Sequence, residues 1–464
     1  MPYNINISSI GERKFGNRTI FVTAIIVITL LIFDTALERI SDLIGAPQYA
    51  SYMRISLFTA ISIIAYGIAQ YLILSFVNRR TRQIIWSAEN TSSIRFISRI
   101  KIIHRTVLIV QYVLTAILAA VILLMVFASH YYTALLTAST TISYALAIVL
   151  SGLLAQSFFR WFKSNRSHVV LSYGIASAAV AVSLIFSMAF MTAVLISKPS
   201  EVMEHLTTIW AAFDPNSPMG VLNSGFIISS IIAFMSMWIS TALLLRHHSR
   251  KLGKIKYWSM IAIPLAYFLS QFVLPLFVDQ VLTPLLSTDP IFMGIVFTLI
   301  FAVSKPAGGI LFGIAFWAMA RAIRHDSVVR DYMIISALGV VLLFVSTQGS
   351  VVTASYPPFG LVTVSFVGLS SYMMFIGLYS AAVSVSEDVK LRDSIRKQIL
   401  EETKLLDSIG SAHMEQEIVK RVMVVAKKNS AMLEAETGIQ SSMEESDIKQ
   451  YLEHVLNEVK MSKK

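Results

Sequence analysis

The sequence predicts an all-α fold: a polytopic transmembrane helical bundle of about ten spans with both termini in the cytoplasm, followed by a cytoplasmic helical tail. Three observations predict it. First, 55% of the 464 residues are hydrophobic and only 14% are charged, whereas a soluble domain carries about 25% charged residues. Second, long apolar runs recur along the chain. Third, Lys and Arg are concentrated in alternate connections between these runs. This composition excludes a soluble enzyme, a nucleic-acid-binding domain and a disordered chain.

The apolar runs are long enough to cross about 30 Å of hydrocarbon and are separated by short polar breaks. We predict spans at about 19–44, 55–77, 106–128, 133–157, 169–196, 220–245, 258–281, 291–320, 332–350 and 359–386. Runs such as Ile20–Phe33 and Val113–Phe127 lack the alternation of a β-barrel strand, so helices are the spanning elements. The chain therefore divides into an N-terminal segment (1–18), a transmembrane domain (19–386) and a tail (387–464).

The orientation follows from the positively charged connections. Lys and Arg cluster in residues 13–18, 79–105, 160–166, 246–256 and 321–330. The opposite connections carry only Arg39, Arg54 and Lys198, together with several acidic residues. Since cytoplasmic loops are enriched in Lys and Arg, the basic connections and both termini are predicted to lie in the cytoplasm of a cell-membrane protein.

The composition changes at Glu387, where a charged tail begins. We predict three amphipathic helices there: one continuing from the last span to a break at Ser408–Gly410, a second ending near Gly438, and a third beginning at Ser442, where Glu445 completes a capping box. Apolar residues of the second helix recur at helical spacing at Met414, Ile418, Val422 and Val425. Such stripes are buried against one another, a second copy or a partner. His413 is predicted to be an exposed tail histidine.

Two charged residues within the predicted spans are candidates for a functional site, because a charge inside the bilayer costs several kcal/mol. Asp34 lies 16 residues after Arg18, and Lys305 lies 16 residues before Arg321, so both are about 24 Å from the cytoplasmic edge. An ion pair between them is geometrically possible. Gln271 and Gln348 fall at about the same depth. Three interpretations stay open: a satisfied structural pair, an Asp34 near enough to the membrane interface to be hydrated, or a substrate, ion or proton site.

Proline and glycine next to Lys305 predict a break in the eighth span. Pro306 removes a backbone hydrogen bond, and Gly308 and Gly309 add backbone freedom. The seventh span contains Pro264 and Pro275. Interrupted helices near mid-membrane bind substrate in transporters, but proline also produces simple packing kinks, and both interpretations stay open.

An interfacial amphipathic helix is predicted between the fifth and sixth spans, with Trp210 and Phe213 on its apolar face. It acts as an anchor or as a lid. The sequence has no Cys and no metalloprotease, serine-hydrolase or phosphate-loop motif. We therefore predict no catalytic residue, no metal site and no cofactor, and expect that the protein is not an enzyme.

The segment Asp407–Glu417 in the tail, together with Lys449–Glu453, resembles uncharacterised polytopic integral membrane proteins of ammonia-oxidising archaea. The spans, which are rich in Ile, Ser and Ala, are similar to theirs as well. The resemblance implies a location in an archaeal cell membrane. No activity is assigned to that group, so it assigns no functional residue.

Two functions from different classes fit these features. The first is a membrane sensor or regulatory module that signals through its cytoplasmic tail, with a cytosolic partner or self-association through residues 388–464. The alternative is a secondary transporter or permease with a polar site around Asp34 and Lys305. A scaffold is a third reading. The lipid bilayer is the predicted partner of the spans, and no nucleic acid is expected.

Overall fold

This computed structural model describes residues 22, 25–32, 67–68, 70–78, 94–128, 133–196, 216–246, 253–277, 290–323, 327–348, 361–387, 392, 404–437, 451 and 454–455. Regular structure within these ranges is entirely helical. Helical residues 25–32 and 70–78 are followed by nine longer helices. In chain order these are α1 (Ile94–Ala128), α2 (Thr133–Ser164), α3 (His168–Ile196), α4 (Pro218–Leu245), α5 (Lys254–Phe277), α6 (Pro290–Ala322), α7 (Val328–Ser346), α8 (Leu361–Glu387) and α9 (Lys404–Thr437).

Within the described residues, seven helical segments are long and apolar enough to cross a membrane. They are Ile100–Val121, Thr133–Ser164, His168–Ile196, Pro218–Leu245, Ala302–Ala322, Val328–Ser346 and Thr363–Ser386. The predicted all-helical, membrane-type fold is therefore confirmed. The count of ten spans and the side on which the termini lie stay predictions, because most of 19–44 and 55–77 lies outside the described residues.

Serine and threonine are common inside these apolar helices, and many of their hydroxyls bond to the helix that carries them. Thr140 Oγ1 donates to Leu136 O at 2.9 Å, and Ser336 Oγ donates to Tyr332 O at 3.0 Å. Such bonds satisfy polar groups where water is absent. A Ser-rich sequence can therefore form membrane-type helices that pack closely.

Six helices form a closed ring in the order α2, α3, α4, α6, α7, α8, with α8 packing against α2. Helix α5 packs against α6 and α4, and α1 packs against α2 and α8. Phe234 on α4 contacts three other helices: its aromatic ring stacks on Phe268 of α5 with centroids 3.8 Å apart and lies 5.3 Å from Phe312 of α6 and 5.9 Å from Phe344 of α7. Aromatic contacts thus connect α4, α5, α6 and α7.

Helices α7 and α8 pack tightly against each other at two glycines. A Cβ atom at Gly377 would strike the Ser336 side chain and Tyr332 O, and one at Gly339 would strike the backbone of Met374. Small residues allow such close backbone contact between membrane helices. Nearly all of Thr363–Ser386 is buried, so α8 is the innermost described helix.

The predicted break at Pro306 is wrong, because α6 continues as a helix through this residue. Helix α5 likewise continues through Pro264. Gly308 lies against Phe234, and Gly309 lies against Phe344 and Val341. The two glycines therefore provide close packing of α6 on α4 and α7, and this packing keeps the helix in place despite the backbone hydrogen bond that proline lacks.

The predicted break at Ser408–Gly410 is also wrong, because α9 runs without interruption from Lys404 to Thr437. Gly410 lies against Val385 of α8, so its missing side chain permits contact between two helices. The predicted interfacial helix with Trp210 and Phe213 lies outside the described residues, as does nearly all of the third predicted tail helix and of the link between α8 and α9.

We expect Gly377→Ala to destabilise the protein by about 1–3 kcal/mol, because the added methyl group overlaps Ser336 and the α7 backbone. The measurement is thermal unfolding of the purified protein in detergent. The matched control is Gly152→Ala in α2, where a Cβ atom meets nothing within 4 Å; this change is expected to be neutral or slightly stabilising. Equal melting temperatures for the two variants would contradict the close α7–α8 contact.

Candidate functional site

Polar side chains from α5, α6 and the end of α7 lie in one layer inside the bundle. Ser304 Oγ donates to Gln271 Oε1 at 2.8 Å, and the adjacent Lys305 Nζ donates to Thr347 O at 3.3 Å. Gln348, which follows Thr347, is buried. The structure therefore brings Gln271, Lys305 and Gln348 close to one another in depth. Whether they act on a substrate stays a prediction.

Lys305 is almost fully buried, with 9% of its surface exposed. Thr347 is the C-cap of α7, so Nζ meets the end of a helix where partial negative charge accumulates. Nζ also lies 5.4 Å from the centroid of the Phe226 ring, within the range of a cation–π interaction. Within the described ranges these uncharged groups are the partners of the ammonium group.

The other predicted members of this layer are placed as follows. Pro306 follows Lys305 in α6. Asp34 lies outside the described residues, so its pairing with Lys305 stays a prediction. Gln271 Nε2 is buried and finds no hydrogen-bond partner in the described part of the chain.

A cavity of about 30 Å³ adjoins Lys305 inside the helix ring. It lies between α3, α4, α6 and α7, and its polar lining comes from Ser183, Ser187, Ser230, Lys305 and Thr347. Apolar side chains, including Leu184 and Phe234, form the remaining wall. Since one water requires about 10–15 Å³ by this measure, the cavity has room for about two waters or a small ion.

A second candidate site is the interface between the tail and the bundle. The apolar residues of α9 that face the bundle are Leu405, Leu406, Ile409 and Ala412, and none of them has exposed surface. They pack where α9 crosses α2, α3 and α8. We call this contact the tail-docking interface. Burial of this kind ties the first half of α9 to the bundle.

Polar and aromatic contacts extend the tail-docking interface. Gln416 Nε2 donates to Arg160 O at 2.8 Å, and Asn165 Nδ2 donates to Ser408 O at 3.3 Å. Both partners lie at the end of α2 and the start of its connection to α3. The tail therefore docks at the end of the bundle that carries the basic connection 160–166.

His413 is buried, with 8% of its surface exposed, so the prediction of an exposed tail histidine is wrong. Its ring lies edge-on to Tyr379 with centroids 5.9 Å apart, and Tyr379 stacks on Trp161 at 6.0 Å. The three rings connect α9, α8 and α2 in series. Burial lowers the pKa of His413 below its usual value, with Glu417 opposing the shift and Lys420 adding to it.

The second half of α9 is exposed. Its large apolar side chains with the most exposed surface include Ile418, Val422, Val424, Val425 and Met432. Lys420 forms an ion pair with Glu417 at 2.9 Å on the same helix, which contributes little to stability at an exposed position. Half of the helix is therefore docked, and the other half projects from the bundle with apolar surface uncovered by the described residues.

Sequence reasoning did not identify a third polar group, centred on His104 in α1. Its Nδ1 lies 2.7 Å from the Tyr372 hydroxyl and its Nε2 lies 2.9 Å from Asn78 Oδ1. Because an amide oxygen accepts, Nε2 carries a proton, and in the neutral ring Nδ1 accepts from Tyr372. The histidine thus connects α1 with α8 and with helical residues 70–78. The sequence did not indicate that His104 is buried, because it lies next to Arg105 in a basic segment.

No family model, no curated protein and no solved structure matches this chain.

Proposed function

We propose that this protein is a membrane sensor or regulatory module in which the helical bundle passes a conformational change to α9. The observation that supports the proposal is the tail-docking interface, where residues without exposed surface join α9 to three helices of the bundle. A tail that served only as a tether would not need such an interface. The partner that receives the signal binds the projecting half of α9.

Movement of α8 acts directly on α9. Val385 of α8 contacts Gly410, and Tyr379, six residues earlier, contacts His413. Helix α2 holds the same part of α9 through the carbonyl oxygen of Arg160. Any change in the position of α8 relative to α2 therefore alters the position in which α9 docks. A helix rises about 1.5 Å per residue, so the end of α9 lies far from the tail-docking interface. A small tilt of α9 at this interface therefore moves that end by a larger distance.

We further propose that α9 lies on the cytoplasmic side of the membrane. Helix α9 docks beside Arg160, Asn165 and the basic residues of this connection. Because Lys and Arg are enriched in cytoplasmic connections, we place α9 and its partner in the cytoplasm. We also propose that the protein lies in the cell membrane and that its source is an archaeon.

We expect Gly377→Ala to increase hydrogen–deuterium exchange in residues 404–413, although the substituted residue does not contact α9. The added methyl group displaces α8 from α7, and the tail-docking interface rests on α8. The measurement is peptide-level exchange by mass spectrometry at one pH. Gly152→Ala is the control, and exchange in residues 180–187 reports general unfolding. Unchanged protection of 404–413 in a Gly377→Ala protein whose α7–α8 contact is loosened would contradict the coupling.

Acidification is expected to loosen the tail-docking interface. His413 in the docked state takes up a proton only at a pH below its usual pKa of about 6.5. The undocked histidine is protonated first, so docking is most stable above about pH 6.5 and weakens as the pH falls below it.

The chain has no Cys, so spin labels can be attached at Ala431→Cys and Arg166→Cys, two exposed positions. The distance distribution between the labels is expected to broaden from pH 7.5 to about pH 5.5. The variant His413→Gln, which cannot take up the proton, should lack this change. An identical pH response in His413→Gln would assign the effect to another group.

A secondary transporter is the second candidate, and the cavity beside Lys305 supports it. The two functions differ in their need for the tail. Deletion of 388–464 is expected to abolish regulation of a partner, whereas solute flux into vesicles through the bundle would persist. Flux that persists in the truncated protein, measured in vesicles containing the purified protein, would favour the transporter.

A further inference from the structure

Donor groups converge on the cavity beside Lys305. Its ammonium group has three N–H donors, and one of them reaches Thr347 O. The hydroxyls of Ser183 and Ser230 also line the cavity. Neither hydroxyl makes a hydrogen bond with the described part of the chain, and Ser230 has only 5% of its surface exposed. Unused donors from α3, α4 and α6 therefore line one small cavity.

The other two hydroxyls at the cavity already donate hydrogen bonds to carbonyl oxygens of their own helices. Ser187 Oγ donates to Ser183 O at 2.8 Å, and Thr347 Oγ1 donates to Leu343 O at 2.9 Å. These two hydroxyls line the cavity but have no hydrogen left to donate to a bound ligand. The remaining free hydrogens belong to Lys305, Ser183 and Ser230.

The charge of the site favours an anion. An ammonium group inside a bilayer is costly unless opposite charge lies nearby. The described partners of Lys305 are a carbonyl, a helix end and an aromatic ring, none of which carries a full negative charge. A cation would be repelled by Nζ. The volume of about 30 Å³ suits a halide-sized ion with or without one water.

We propose that this cavity binds one small monovalent inorganic anion of halide size, held by Lys305 Nζ and by the hydroxyls of Ser183 and Ser230. The anion supplies the opposite charge to Lys305. The proposal goes beyond the coupling between bundle and tail and does not depend on it, since no residue of α9 lines the cavity.

The test is binding of radioactive chloride to the purified full-length protein in detergent, with gluconate used to keep the ionic strength constant. Saturable binding of one chloride per chain is expected. Lys305→Met should abolish it, and Ser230→Ala should weaken it about tenfold or more, because a hydrogen bond to a charged group is lost. Ser236→Ala is the matched control on α4: its hydroxyl donates to Ile232 O at 2.7 Å outside the cavity, and chloride affinity should stay unchanged.

Lack of saturable binding to the wild-type protein would overturn the proposal, as would equal binding by Lys305→Met. If Lys305→Met does not fold, as judged by size-exclusion chromatography, the double variant Ser183→Ala/Ser230→Ala replaces it, and unchanged affinity in that variant would overturn the proposal. Asp34 provides a further comparison. Chloride binding retained in Asp34→Asn supports the exchangeable anion, whereas coupled stability effects of Asp34→Asn and Lys305→Met without chloride binding would assign the opposite charge to Asp34.

Discussion

The contact between α7 and α8 at Gly339 and Gly377 determines how the rest of the bundle is arranged. Lipid provides little hydrophobic force between membrane helices, so close packing and hydrogen bonds between helices must hold them together. Helix α8 makes such contacts on several sides. Ser143 Oγ on α2 donates to Val364 O at 2.7 Å, and Val385 meets Gly410 of the tail. The ring and the tail therefore share α8 as their common support.

The contact between α7 and α8 also determines the position of Thr347 O, which accepts the hydrogen bond from Lys305 Nζ. Helix α7 has 19 residues, so it spans only about 28 Å, and its last carbonyl groups are held at the depth of Lys305. A displacement of α7 along α8 would move Thr347 O away from Nζ. The polar cavity and the tail-docking interface thus lie at opposite ends of the α7–α8 pair. A ligand that displaced α7 along α8 would therefore also shift the position in which α9 docks.

Hydropathy and chain length predicted the helical fold and the common depth of Gln271, Lys305 and Gln348, because both depend only on counting residues along helices. The breaks predicted at Pro306 and at Ser408–Gly410 were wrong for one reason. Local propensity treats proline and glycine as helix breakers, but packing against neighbouring helices overrides it. The partners of Lys305 were beyond prediction, since a carbonyl acceptor depends on where α7 ends and which helices adjoin α6.

Helix α9 has two faces with different roles, and its helical geometry separates them. Leu405, Ile409 and Ala412 face the bundle, and the same face continues to Gln416 at about 100° per residue. Ile418 and Val425 point the opposite way and are exposed. A partner bound to that outer stripe would therefore not compete with the tail-docking interface. Such a partner would sense the bundle only through the position of the helix, so coupling would require α9 to stay helical across both halves.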